Sequence, residues 1–380
     1  MIDMDTVSVD VKGGDFNAAL SGALSILLEN KTVDALLIPQ EMPHGGNVVQ
    51  TLVRKRSGLK GAAPINFVMP MNSSKLLVQL SETQPDEKIA AVLRPCELRA
   101  AVELVKLNQI NRDSILFIGV DCAGTLKMKE YEKRARELKK AGKSPSAELA
   151  KESLTAMRNA CQACENFWPF EGTADLVVAH IGVGPGGGLF IEGTSARGKE
   201  ALKVLKDGGL KEAAIPDSRK AAIEKRKAAA ADFRKKWYED ARKRLGSLEE
   251  WLNEFSTCIR CYNCRDACPI CYCKECIFDS DYMKPSPKAL LRKALKRGLI
   301  KMPQDTLLFH ITRLNHMVTS CVKCGMCEEA CPNDLPVAML FAAMAENVQR
   351  LFEYVPGRDA KEALPLSTFK EKELEEVGGH

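Results

Sequence analysis

The chain has 380 residues, 45% of them hydrophobic and 28% charged, with a formal net charge of +5 and 15 cysteines. That length exceeds what one core usually supports and predicts two or three globular domains, while so small a positive surplus does not point to nucleic acid. The opening MIDMDTVSVDVKGGDF is acidic where a signal peptide is basic, and no apolar run reaches membrane-spanning length; the expectation is a cytoplasmic protein whose thiols bind metal instead of forming disulfides.

From about Asp10 to Gly193, helical periodicity alternates with short apolar runs: AALSGALSILLEN, then VDALLIP, INFVMP, IAAVLRP, a helix from Glu97 to Leu107, and ILFIGVD. Strands followed by helices at this rhythm predict an α/β domain with a mostly parallel sheet over residues 1–196. Residues 197–250 are rich in Lys, Arg, Ala and Glu and read as a basic helical connector, solvated on its surface. A mainly α-helical domain follows over 251–355, with two helical patterns separated by Gly298 and Pro303, and a charged tail, 356–380, is expected to fray.

Cys258, Cys261, Cys264 and Cys268 precede Pro269 in the pattern C-x2-C-x2-C-x3-C-P, and Cys321, Cys324, Cys327 and Cys331 precede Pro332 in the same pattern. This is the bacterial ferredoxin signature, in which three thiolates of one loop cap a 4Fe-4S cluster and the fourth cysteine ligates the other cluster. Cys331 is therefore expected to complete the first cluster and Cys268 the second. A tetrahedral zinc site would leave the remaining cysteines and the Cys-Pro pairs unexplained.

A dispersed set lies in the α/β region: Cys96 in RPCELR, Cys122 in GVDCAGT, and Cys161 with Cys164 in CQACENFW. The first two follow predicted strands, where loops at the carboxyl ends of a parallel sheet converge. Either the four thiols hold a third cluster, or Cys96 and Cys122 are small buried hydrophobes. Cys271, Cys273 and Cys276 remain, one thiol short of a set. They hold a fourth cluster with an outside ligand, exchange with Cys268, or are buried thiols lining the loop. His310 and His316 do not share an i, i+4 face and are expected to pack beside the second quartet, not to ligate.

In order, GGDFNAALSGALSILLENKTVDALL, VLRPCELRAAVEL, ILFIGVDCAGT, CQACENFWPFEGTADLVVAHIGVGPGG, CIRCYNCRDACPICYCKEC and CVKCGMCEEACP resemble the beta subunits of coenzyme F420-dependent hydrogenases and formate dehydrogenases, the formate dehydrogenase type above all. The resemblance spans roughly Gly13 to Pro336. It implies an iron-sulfur flavoprotein: FAD in the α/β domain, a proximal cluster on Cys96, Cys122, Cys161 and Cys164, and two ferredoxin clusters beyond. It also implies FAD contacts at Gly13 and Gly14, where glycines before a helix admit a pyrophosphate. The same is expected of Asn72, Ser73, Ser74 and Lys75 in PMNSSKLL, and of Gly184, Gly186 and Gly187 in GVGPGGG; the bland alternatives are a helix cap and plain turns.

No G-x-G-x-x-G with its downstream acidic residue is present, which counts against a nicotinamide site. The leading expectation is an oxidoreductase subunit that exchanges a hydride between FAD and a diffusible carrier, deazaflavin F420 or similar, and passes single electrons through clusters. Its partner would be a formate dehydrogenase or hydrogenase catalytic subunit, or a heterodisulfide reductase-like complex, because no molybdopterin, nickel or selenocysteine motif occurs in this chain. The contrasting expectations are a flavin-free ferredoxin-like adaptor and a zinc-dependent nucleic-acid binder.

Overall fold

The computed structural model describes residues 5–43, 45–150, 154–183, 188–280, 286–298 and 306–368. Eight strands, β1 (Thr6–Val9), β2 (Ala35–Glu41), β3 (Val48–Val53), β4 (Ile89–Leu93), β5 (Ile115–Val120), β6 (Leu176–Ala179), β7 (Leu189–Gly193) and β8 (Lys211–Glu212), form one sheet. Their order is β3-β2-β4-β5-β6-β7-β1-β8. β2, β4, β5 and β6 pair in parallel, and β1, antiparallel to the β7 that is itself antiparallel to β6, runs with them. The mostly parallel α/β expectation holds, with antiparallel strands at the flanks.

β4 and β5 are buried along their whole length because helices cover both faces, as parallel sheets require. Alternation along β4 divides its side chains. Ala90 and Val92 pack with Leu20, Leu24 and Leu27 of the helix Phe16–Glu29 and with Leu202 and Leu205 of the helix Ala196–Asp207. Ile89, Ala91 and Leu93 pack with Leu77, Leu98 and Leu104 on the other side.

Two expectations change. INFVMP is not a strand: Phe67 and Val68 sit in a separate small core with Leu126 and Tyr131. Arg94 also donates from Nη2 to the Asn66 and Val68 carbonyls, which a ladder would need. A strand does form at β3, whose VVQTLV gave no expectation. The α/β unit also runs past residue 196, since the helix Ala196–Asp207 buries Ala201, Leu202 and Leu205 and β8 pairs with β1.

The helix Ser218–Arg244 accounts for much of the basic stretch. It is not solvated all round: Ala230, Trp237, Tyr238 and Ala241 bury against Phe341 and its neighbours in the helix Val337–Leu351. The two helices expected between the quartets are Pro287–Arg297 and Thr306–Met317, the first ending at left-handed Gly298. Pro303 and the tail from residue 369 lie outside the described residues. No described helix is long and apolar enough to cross a membrane.

The sheet unit and the cysteine-rich helical unit are clasped together. Glu103, fully buried on the helix Pro95–Lys106, accepts from the Tyr354 hydroxyl, from Gly357 N at 2.8 Å and from Lys106 Nζ at 3.2 Å. Arg99 Nε donates to the Pro356 carbonyl at 2.8 Å and its Nη1 to the Val322 carbonyl at 3.3 Å. Lys75 Nζ donates to the Asp266 carbonyl.

Candidate metal centres

Each ferredoxin loop is shaped by paired left-handed residues. Arg260 and Tyr262 have φ of 56° and 62°, and the equivalent Lys323 and Gly325 have φ of 59° and 75°. Such turns direct successive amides to one side and make a concavity suited to an anion. Around the first concavity stand Cys258, Cys261, Cys264 and Cys331, which line one small cavity. Around the second stand Cys321, Cys324, Cys327 and Cys268, which line another. The structure thus brings together the crossed sets: Cys331 with the first loop, Cys268 with the second.

A third small cavity is lined by Cys96, Cys122, Cys161 and Cys164. Cys96 follows β4 and Cys122 follows β5, both at the carboxyl edge of the parallel strands; Cys161 lies on the short helix Asn159–Gln162 with Cys164 just past it. Arg94, Arg158 and Arg226 share this wall. Arg158 is 7% exposed, its Nη2 3.9 Å from Cys161 Sγ and its Nη1 3.7 Å from Glu329. Three guanidinium groups at one cavity suit an anionic group such as an iron-sulfur cluster.

Burial pushes most of these thiols upward: Cys264 and Cys164 to about 11, Cys324 to about 12, and Cys96 and Cys327 well above the ordinary range. Cys161 is lower, because Arg158 and a bond to Thr125 outweigh its burial. Iron supplies the charge that such thiolates otherwise lack. Among the described residues no three His, Cys, Asp or Glu side chains stand close enough to hold a single ion. Thiols that surround a volume rather than a point fit a cube better than zinc.

The second and third cavities share a wall. Val322, Lys323 and Cys324 line both, and Ala160 lies opposite Gly325 with room for no more than a hydrogen.

The three surplus cysteines do not gather. Cys271 Sγ lies 3.2 Å from Met317 Sδ, beside Cys268, whose thiol is held low by a bond from Cys271. Cys276 packs with Tyr262, Phe278 and Phe309, and Cys273 is exposed. His310 is buried, stacked on Phe255 at 4.0 Å with Nε2 3.4 Å from Cys258 Sγ, and His316 is exposed.

The residues expected at a flavin come from three separate stretches of the sequence. Gly13 and Gly14 adopt left-handed φ of 62° and 74° in open space just before the helix Phe16–Glu29, whose first amides are met by the Asp15 carboxylate through Ala18 N. Asn72, Ser73 and Ser74 are fully buried: Ser73 donates to Glu97 and Ser74 donates to Asn72, whose Nδ2 meets no acceptor among the described residues. Lys75 is engaged with Asp266 as above. Gly184, Gly186 and Gly187 lie outside the described residues. An open cleft of about 940 Å³ runs beside the helix Phe16–Glu29, lined by Asp15, Asn17, Ser21, Glu41, Arg56 and Lys60 among others.

Sequence reasoning missed Asp121. Its buried carboxylate accepts from His180 N and Ile181 N and pairs with Arg219, which ties the exit of β6 to the start of the helix Ser218–Arg244. An acidic residue closing an apolar strand in ILFIGVD was the available signal.

Residues 254–335 match the model of a 4Fe-4S dicluster domain, and residues 86–218 match that of the C terminus of the coenzyme F420 hydrogenase/dehydrogenase beta chain. The F420-dependent formate dehydrogenase subunit beta of Methanocaldococcus jannaschii is 32% identical over 92% of this chain and 94% of its own length. The chain belongs to the coenzyme F420 hydrogenase/dehydrogenase beta-subunit family. Another relative, the F420-dependent formate dehydrogenase 1 subunit beta of Methanococcus maripaludis, is 28% identical over 91% of this chain and 92% of its own. A chain of the xenon-derivatized F420-reducing NiFe hydrogenase complex from Methanosarcina barkeri aligns over 64% of this chain and 93% of that one, with a TM-score of 0.47 and 14% identity, and carries no argument. As a member of this family the protein is an oxidoreductase subunit with an electron-transfer role and a dicluster 4Fe-4S domain.

Proposed function

We propose that this protein carries FAD and three 4Fe-4S clusters, and that it exchanges a hydride with coenzyme F420 at the flavin and single electrons with a formate dehydrogenase catalytic subunit. The observation that carries the reading is the shared wall at Val322, Lys323 and Cys324, which sets the proximal cavity directly against the second ferredoxin cavity. In this reading electrons pass from flavin to proximal cluster, then to the second cluster and the first. The first cavity is then the exit, and its Cys261 and Ile259 are exposed.

The ligands in this reading are Cys96, Cys122, Cys161 and Cys164 for the proximal cluster and the two crossed sets for the others. Cys271, Cys273 and Cys276 hold no fourth cluster. FAD lies at the carboxyl edge of the parallel strands, on the side of Gly13, Gly14 and the connection from β6 to β7 that contains Gly184, Gly186 and Gly187. When bound it converts two-electron to one-electron chemistry. Partner and carrier rest on the names of the relatives.

Anaerobic protein should contain about twelve irons and about one FAD per chain, and reduced F420 should bleach its flavin and then its clusters. Iron-replete protein without flavin would leave only the adaptor reading, and about sixteen irons would restore a fourth cluster.

A further inference from the structure

Arg313 is 2% exposed, the largest fully buried side chain among the described residues. Among the described residues no acceptor oxygen meets its Nε, Nη1 or Nη2. Its guanidinium lies over the Phe341 ring at 4.5 Å and lines the second ferredoxin cavity beside Cys268, Cys321 and Cys327. A buried guanidinium without a carboxylate is costly unless something anionic faces it.

The helix Thr306–Met317 explains what faces it. Phe309 and His310 line the first cavity, Met317 lines the second, and Arg313 stands one turn from each along the same helix face. The thiols acting on its charge come from both sites: Cys264 of the first set, Cys268 and Cys327 of the second, and the unassigned Cys271. The other basic residue given in the lining of the second cavity, Lys323, is paired with Glu346.

We propose that Arg313 is a positioning residue shared by the two ferredoxin clusters, the buried counter-charge that raises both reduction potentials together. Each electron adds one negative charge to a cluster, and a fixed guanidinium in a low-dielectric interior favours the reduced form. Lining the second cavity and standing one helical turn from Phe309 and His310, which line the first, it acts on both clusters instead of one. Its planar fork, clamped on Phe341, keeps the charge in place without a protein carboxylate that would cancel it.

The assignment rests on the dicluster domain and not on the flavin. EPR-monitored redox titration of anaerobic, iron-replete protein tests it. In Arg313→Gln both ferredoxin midpoints fall, so that at the native midpoint the reduced-to-oxidised ratio of each cluster drops at least tenfold, which is 59 mV for one electron. Arg313→Lys, which returns a charge, holds both ratios within threefold of native. A fall confined to one cluster, no fall with glutamine, or a lysine variant that falls as far as the glutamine one overturns it. Should the glutamine variant fail to retain iron, the lysine variant decides alone: both midpoints held within threefold supports the assignment, and either one departing further overturns it. Native protein lacking ferredoxin iron would be a failure of the dicluster reading instead.

Discussion

Gly325 and Ala160 meet so closely that a methyl group on the glycine would stand 2.5 Å from the Ala160 Cβ. The two residues adjoin Cys324 and Cys161, so this contact sets the separation of two thiol-lined cavities. Gly325 also has φ of 75°, which only glycine adopts without strain. Gly325→Ala should destabilise by about 2–4 kcal/mol, from about 1–2 for the left-handed backbone and the rest from overpacking. Chemical denaturation measures this. Adding Ala160→Gly should recover the packing part alone, and full recovery would show that the backbone carries no strain.

The crossed ligation predicts an asymmetric loss of iron. Cys268→Ser should remove the cluster of the second loop, although the serine lies in the first loop's sequence, and Cys331→Ser should do the reverse. About four irons should be lost in each case. EPR distinguishes the surviving cluster, and loss of the cluster adjacent in sequence would refute the crossing.

Glu103 holds the C-terminal segment to the sheet unit while buried with Lys106. Glu103→Gln leaves that lysine without its charge partner and should cost about 3–5 kcal/mol. A drop in the urea midpoint reports it, and an unchanged midpoint would mean that Arg99 and the apolar contacts suffice.

Tyr131, Tyr238 and Tyr354 are buried, and burial raises each phenol above its usual value near 10. Folded phenols therefore keep protons that unfolded ones lose. Stability should be fully present below about pH 10 and should fall above it, by up to about 1.4 kcal/mol per pH unit for each tyrosine. Urea midpoints between pH 9 and 11, followed with phenolate absorbance, check the slope; replacing Tyr131 with Phe should remove its share.

Much of the metal arrangement was legible because ligand spacing is local. C-x2-C-x2-C-x3-C-P fixes which thiols share a loop, and the strands before Cys96 and Cys122 place both at one sheet edge. What failed was what depends on distant partners. INFVMP has a strand's composition, but the side chain of Arg94 claims its carbonyls. In PMNSSKLL the Ser73 hydroxyl meets Glu97, a partner on another helix that the composition of the loop does not announce. Arg313 was overlooked for a similar reason: a lone arginine in HITRLNHM looks solvated until Phe309 and Met317, one turn away on either side, prove to be buried.

The bonds from Glu103 and Arg99 to residues 354–357 have a consequence for how the chain comes apart. The helix Ser218–Arg244 is the covalent bridge between the sheet and the cysteine-rich helices, but it is not their sole tether, since residues beyond the second quartet return to the helix that begins beside Cys96. The path thus closes into a ring. A protease that nicks the exposed stretch at Gly246 and Ser247 should leave two fragments that migrate together until denatured, and a permuted chain opened there should still assemble.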